Sequence, residues 1–218
     1  MNKKNMAKLG VSLGLVSALG VGATLAMLSN KTDTLVNTFT ASDKGIGITL
    51  DEKVYGGEGR TSTGNNYNDL VPGQTVVKDP TVYITENSLN CNVFVKVTNA
   101  NGENLTHDTT NIGDKKAWLD VTNKVSNPGT GVKYYAYMGT NATGTVEQGD
   151  NYKVVATSSQ KTTLTPVFNN VTVKDNNSED GTGVKLELSN ITVKAAAVQA
   201  DSVTDAQALQ KAIELLNK

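Results

Sequence analysis

The residue types that most often act as nucleophiles, bases or metal ligands are scarce here, with one cysteine and one histidine, Cys91 and His107. Cys91 begins the segment CNVFVKV, where strand alternation puts it on one face with Val93, Val95 and Val97. We therefore expect a buried, apolar thiol rather than a reactive one. His107 lies in the polar segment LTHD, and we interpret it as a solvated loop residue.

The motifs of common enzymes and metal sites are missing from the sequence. A zinc protease needs about three protein ligands, normally including histidines, together with a general base. Asp175, Glu179 and Asp180 lie close together in DNNSEDGTG, but their spacing differs from that of an EF-hand loop, and we predict a solvated turn. There is no glycine-rich phosphate loop, HExxH or GxSxG motif. We predict no catalytic residue, no metal, no cofactor and no enzyme activity.

The charge of the chain argues against nucleic acid as a partner. The 218 residues have a formal net charge of −1. Lys3, Lys4 and Lys8 lie at the N-terminus, and without them 17 basic side chains remain against 21 acidic ones, a net charge of −4. Nucleic-acid-binding surfaces need clustered positive charge, and no such cluster remains after residue 26.

The single cysteine also excludes an internal disulfide bond.

Residues 1–26 have the three parts of a secretory signal peptide. Lysines precede an apolar run at residues 9–21, and Thr24 and Ala26 supply the small residues before a cleavage site. We predict cleavage between Ala26 and Met27, and a secreted location, either extracellular or on the cell surface. The apolar run is short and glycine-rich for a bilayer crossing. We expect no stable membrane span after cleavage, with an uncleaved anchor as the alternative.

Residues 27–42 form the N-terminal segment that this cleavage would expose. Its run LVNTFT, residues 35–40, has the β-branched and aromatic content of a strand. A free strand pairs either with its own domain or with an open sheet edge of a neighbouring subunit, as a donor strand. Leu35, Val36 and Phe39 are the residues we predict to contribute to assembly in the second case.

Residues 43–201 are predicted to form one all-β domain, an antiparallel two-sheet sandwich of roughly nine strands. The clearest strand is 91–98, and further strands are expected at 46–50, 117–121, 132–138, 152–156, 163–173 and 184–193. Residues 99–114 are interpreted as a long surface loop, and Trp118 as a core residue. Leu186 and Leu188 are expected to point inward. Residues 202–218 are predicted to form a short C-terminal amphipathic helix that begins with a TDAQ capping box and packs on the domain.

Eight short segments along the chain form an ordered set. They are ATLA at 23–26, SN at 29–30, NTFTA at 37–41, LVPGQ at 70–74, KDPTV at 78–82, VFVKV at 93–97, LTPVF at 164–168 and VQAD at 198–201. This set resembles the TasA/camelysin family of exported proteins, although Ser42 stands where the family usually has glycine. The resemblance implies a signal peptide cut by a dedicated SipW-type peptidase and a jelly-roll-like domain.

Two functions of different classes follow from this resemblance. One is a structural subunit of an extracellular biofilm-matrix fibre, which self-associates head-to-tail, with a minor accessory fibre protein as a further candidate partner. The other is a camelysin-like cell-surface metalloprotease, which the missing set of metal ligands disfavours. A monomeric surface adhesin is a third alternative, and it differs from the fibre subunit only in what the N-terminal strand does.

Overall fold

The computed structural model describes residues 29–31, 45–52, 60–61, 64–65, 67, 69–100, 104–140, 151–175 and 188–218, with the main chain alone at 29–31 and 60–61. Within these ranges the strands are β1 (Ser29–Lys31), β2 (Ile48–Asp51), β3 (Arg60–Thr61), β4 (Gly64–Asn65), β5 (Thr75–Val77), β6 (Thr81–Ile84), β7 (Cys91–Thr98), β8 (Leu105–His107), β9 (Trp118–Asp120), β10 (Val132–Tyr137), β11 (Thr162–Thr163), β12 (Asn170–Val173) and β13 (Thr192–Gln199). Helix α1 spans Asp205–Leu216, and a 3₁₀ turn spans Thr122–Lys124. None of the helical segments in these ranges has the length and hydropathy that a bilayer crossing requires.

These strands form antiparallel sheets, which confirms the predicted all-β class with a C-terminal helix. The main sheet has five strands in the order β1–β13–β7–β10–β9. Two smaller sheets have three strands each, the β2 sheet (β11–β6–β2) and the β12 sheet (β5–β12–β8), and β3 pairs with β4 in a two-stranded ribbon. The described residues therefore give three sheets and a ribbon instead of the predicted two sheets.

The two smaller sheets are separate because proline interrupts their strands. Pro80 lies between β5 and β6, and Pro166 lies between β11 and β12. Proline has no N–H group to donate to a neighbouring strand, so regular pairing stops at both places. Main-chain hydrogen bonds between the same two chain segments still bridge the interruption, from Lys78 to Asn169, from Val167 to Pro80 and from Leu164 to Val82.

The main sheet is buried on both faces, which places it in the middle of three layers. One face packs against the two smaller sheets through residues that include Val93, Val95, Val97, Tyr135 and Trp118. The opposite face packs against α1 through Phe94, Tyr134, Ala136, Ala196 and Val198. Alternation along β7 and β10 thus supplies two apolar faces. The predicted inward direction of Val93, Val95 and Val97 is confirmed.

Three predicted elements are wrong in part. The expected loop at 99–114 contains β8, because Leu105 and His107 alternate with Thr106 and are buried against the core. The expected strand at 184–193 is described only from residue 188, since residues 184–187, Leu186 among them, lie outside the described residues. Residues 188–191 are irregular, β13 begins at Thr192, and Leu188, predicted to point inward, is 38% exposed. The expected strand at 152–156 is reduced to an isolated bridge between Val155 and Cys91 and a main-chain hydrogen bond from Lys153 to Tyr137.

Candidate functional site

The first described strand lies at one edge of the main sheet. β1 pairs antiparallel with β13, with Ser29 opposite Val198, Asn30 opposite Ala197, and Lys31 opposite Ala196. β1 is short beside the eight residues of β13, and α1 also contacts it. The described part of the predicted donor segment therefore pairs within its own chain. The cleavage residues Ala26 and Met27 and the assembly residues Leu35, Val36 and Phe39 lie outside the described residues.

The strand that β1 covers is unusual in its residue types. β13 has three consecutive alanines, Ala195–Ala197, although alanine is depleted in strands. The small side chain of Ala196 faces α1, where Ala208 and Ala212 are buried in the same cluster. Small residues on both elements let the helix lie close to the sheet, so packing outweighs the weak strand propensity of this segment.

Both ends of α1 are held by specific hydrogen bonds. At the N-terminus, the Thr204 hydroxyl accepts the N–H of Gln207 and the Gln207 side chain accepts the N–H of Thr204, which is the predicted capping box. At the C-terminus, Asn217 Oδ1 accepts from Lys96 Nζ at 2.7 Å and from the Tyr134 hydroxyl at 2.9 Å. Burial, together with the nearby charge of Lys194, lowers the pKa of Lys96. The helix therefore packs on the domain as predicted.

The prediction that His107 is a solvated loop residue is wrong. His107 is the last residue of β8, is 3% exposed, and stacks on Phe168 with ring centroids 4.8 Å apart. Its Nδ1 lies 2.9 Å from the carbonyl oxygen of Asp108, and its Nε2 lies 3.3 Å from the Tyr135 hydroxyl. Because a carbonyl only accepts, Nδ1 carries the proton and Nε2 accepts from Tyr135. Both ring nitrogens are thereby engaged inside the core.

Tyr135 is held in its neutral form at this position. Burial raises the pKa of its hydroxyl, and the charge of Asp120 raises it further. The hydroxyl therefore keeps its proton at physiological pH and contacts His107 Nε2 between β8 and β10. Such a contact satisfies two buried polar groups that would otherwise be costly to bury.

The carboxylate of Asp108, directly after β8, accepts hydrogen bonds from three backbone N–H groups. Its Oδ1 accepts the N–H of Thr110 at 3.0 Å, and its Oδ2 accepts the N–H groups of Asn169 at 2.8 Å and Asn170 at 2.6 Å. Partial burial by itself raises the pKa of Asp108, but these hydrogen bonds outweigh it and hold the pKa below its usual value. The carboxylate thus fastens the end of β8 to the start of β12.

Trp118 and Cys91 are core residues, as predicted. Trp118 is fully buried, and its Nε1 donates to the Thr165 carbonyl at 3.0 Å. The centroids of the Trp118 and Tyr137 rings are 5.1 Å apart. The Cys91 thiol is fully buried in the same cluster as Val93, and burial raises its pKa to about 12. A thiol with this pKa is neutral at physiological pH and is a poor nucleophile.

A second buried polar cluster, formed by Glu52, Asn65 and Lys78, has no recognisable signal in the sequence. Lys78 Nζ lies 2.6 Å from Glu52 Oε1, and Asn65 Nδ2 donates to Glu52 Oε2 at 3.3 Å. The side chains of Glu52 and Lys78 are only 6% and 14% exposed. The three residues come from the end of β2, from β4 and from the segment between β5 and β6, so only the tertiary fold brings them together.

In the part of the chain that the structure describes, histidine, cysteine and carboxylate side chains form no group of three that could hold a metal ion. Of the three neighbouring carboxylates noted in the sequence, Asp175 is exposed, and Glu179 and Asp180 lie outside the described residues.

Comparison with models of protein families, with curated proteins and with solved structures finds no match to this chain.

Proposed function

We propose that this protein is a secreted structural subunit of an extracellular biofilm-matrix fibre and assembles head-to-tail by donor-strand exchange. The ordered segments that resemble the TasA/camelysin family support the class of protein. The position of β1 supports the mode of assembly. A cell-surface location after signal cleavage at Ala26 belongs to the same proposal.

One observation carries the proposal, namely that the earliest described strand is an outer strand of the largest sheet. An outer strand has one neighbour, β13, so a copy from another subunit can replace it without disturbing β7 or β10. Main-chain hydrogen bonds to the edge supply affinity, and alternate side chains supply specificity. A contact of this kind is heterologous and need not close, and an open repeat of it generates a filament. Pairing of β1 with β13 within one chain is then the state of the free subunit.

A jelly-roll-like arrangement is part of the proposal. The hydrogen bonds that join the β2 sheet to the β12 sheet across Pro80 and Pro166 support it, because they make the two sheets one discontinuous layer opposite the main sheet. A sandwich of this type leaves sheet edges that need protection, and an exchanged strand provides it.

The sharpest test uses the pairing of β1 with β13 as a crosslinking site. Ser29 lies opposite Val198, and the Cα atoms of directly opposite residues in an antiparallel pair are about 4.5–5.5 Å apart. This separation is within the range of a disulfide bond, so we expect Ser29→Cys with Val198→Cys to form one. The variants are made with Cys91→Ala to remove the native thiol. After fibre formation and oxidation, we expect covalent ladders of several chains on a non-reducing denaturing gel, and single chains before assembly. Fibres that contain only internally crosslinked chains would refute strand exchange.

Two controls accompany this test. The single variant Ser29→Cys reports random crosslinking, and we expect at most dimers from it. A truncated protein that starts at Asp43 lacks the donor segment, and we expect it to stay soluble, to form no fibres in electron micrographs and to bind a peptide of residues 27–41. A truncated protein that still forms fibres of the same morphology contradicts the proposal.

The competing functions have their own outcomes. If the native protein never forms fibres but adheres to cells, the adhesin alternative is favoured. Casein digestion that a chelator and His107→Ala abolish would instead favour the camelysin-like protease. N-terminal sequencing of the exported protein tests cleavage directly, with Met27 as the expected first residue and a retained Met1 as the contrary result.

A further inference from the structure

The buried cluster of Glu52, Asn65 and Lys78 has an arrangement suited to a covalent reaction. Glu52 Oε1 lies 2.6 Å from the amine nitrogen of Lys78. Glu52 Oε2 accepts a hydrogen bond from the primary amide of Asn65 at 3.3 Å. The amine is a nucleophile when neutral, and the amide carbon is an electrophile. Asn65 Oδ1 is shielded from solvent, as are most atoms of the other two side chains. One carboxylate therefore contacts both reactive groups, at a place largely shielded from solvent.

From this geometry we propose that Lys78 and Asn65 become joined by an intramolecular isopeptide bond, with Glu52 as the proton carrier. The fold itself supplies the reactants and the positioning, since proximity and orientation replace a collision between separate molecules. No oxidant, cofactor or second protein takes part. The inference rests on these three residues alone and is independent of fibre formation.

The atoms of the reaction balance without another reagent. Glu52 accepts a proton from the Lys78 ammonium group, and the neutral Nζ attacks Cγ of Asn65. The tetrahedral adduct breaks its Cγ–Nδ2 bond and leaves an amide bond between Cγ and Nζ. Of the three protons on the Lys78 ammonium group, one stays on the new amide nitrogen. Glu52 passes the other two to the leaving nitrogen, which departs as ammonium, and Glu52 ends as a carboxylate.

The bond would link β4 to the segment that follows β5. β4 belongs to the two-stranded ribbon, which pairs with neither the main sheet nor the two smaller sheets among the described residues. Lys78 follows β5 and precedes Pro80, where regular pairing is interrupted. A covalent link at this point constrains the unfolded chain in the way a disulfide does, and this chain has no second cysteine with which to form one.

Mass spectrometry of the purified protein tests the proposal. We expect the intact chain, with its N-terminus mapped, to be lighter than its sequence by the mass of one ammonia molecule. Trypsin cleaves after Arg60 and Lys78 in an unmodified chain and releases residues 61–78. Acylation of Lys78 blocks the second cleavage, so we expect residues 61–96 as one peptide that lacks ammonia. A full-mass chain cleaved normally at Lys78 overturns the proposal. Loss of ammonia with normal cleavage at Lys78 indicates a succinimide at an asparagine and also overturns it.

Substitutions assign the roles of the three residues. Lys78→Arg keeps a cation beside Glu52 but has no amine to acylate, so we expect full mass and a lower melting temperature. Glu52→Gln removes the proton carrier, and we expect the uncrosslinked mass; an intact crosslink in this variant refutes the role of Glu52. Lys161→Arg makes the same change at an exposed lysine outside the cluster, where Lys161 lies over the Tyr83 ring. We expect this control to keep the crosslink.

Discussion

Replacement of Asp108 tests whether a single carboxylate holds β8 in place. In Asp108→Ala the N–H groups of Thr110, Asn169 and Asn170 all lose their acceptor. Hydrogen bonds to a charged group contribute about 1.5–3 kcal/mol each, and loss of the acceptor leaves desolvated donors. Asp108 is half-buried, so water replaces part of each contact. We therefore expect the free energy of unfolding to fall by about 2–4 kcal/mol in total.

The charge of Asp108 makes part of this stabilisation depend on pH. Its pKa is lower in the folded protein than the value of about 3.9 expected in the unfolded chain. A lowered folded pKa stabilises the protein above the unfolded pKa, and the contribution is lost as pH falls through the folded pKa. Asp108→Asn keeps one acceptor oxygen without the charge. We expect the stability difference between the native protein and this variant to be constant from pH 7 to about 5 and to shrink below pH 4.

Urea unfolding monitored by Trp118 fluorescence measures both effects. Trp118 is the single tryptophan and is fully buried, so its emission reports loss of the core. Asp114→Ala serves as the matched control because Asp114 is an exposed aspartate of the same connecting segment, and we expect a change within about 0.5 kcal/mol. If Asp108→Ala behaves like Asp114→Ala, or if the difference grows as the pH falls, the reasoning is refuted.

Three other predictions concern the core and the helix. Val95 is fully buried, so Val95→Ala should lower the free energy of unfolding by about 1–3 kcal/mol. Val154, at 42% exposure, is its control, and equal effects of the two truncations would contradict the burial argument. Cys91 should not react with a thiol reagent in the native protein but should react fully in denaturant, because burial raises its pKa to about 12. Thr204→Ala removes the capping hydroxyl of α1 and should cost about 1 kcal/mol in thermal or urea unfolding, whereas an unchanged midpoint would mean that the helix is held by packing alone.

Local patterns in the sequence determined the elements whose side chains follow a strict period. The strand at 91–98 was predicted at the bounds of β7, because alternating Val93, Val95 and Val97 can bury one face only in extended chain. The TDAQ capping box and the spacing of Leu209, Ala212 and Leu216 likewise indicated α1 and its packed face. Cys91 and Trp118 were both predicted to be core residues, and both are fully buried.

Of the predicted assembly segment the structure describes Ser29–Lys31, and Leu35, Val36 and Phe39 lie outside the described residues. Strand propensity predicts a strand at residues 35–40, and the described β1 lies in the polar stretch before them. The pairing of β1 with β13 depends on where the C-terminal strand lies. Hydrogen bonds between main chains do not require a particular side-chain pattern, so the sequence contained no signal for this contact.

Tertiary structure alone decided the positions of the polar residues inside the fold. LTHD reads as a loop because His107 and Asp108 are polar, yet Tyr135 and Phe168, from distant segments, make burial of the imidazole favourable. The predicted strand at 184–193 includes only the first two residues of β13. The alanines that follow disfavour a strand, and close packing against α1 outweighs that preference. Glu52, Asn65 and Lys78 are far apart in the chain, and only the fold brings them together. Periodicity reports which face of a strand or helix is apolar, but it carries no information about which distant partner satisfies a buried polar group.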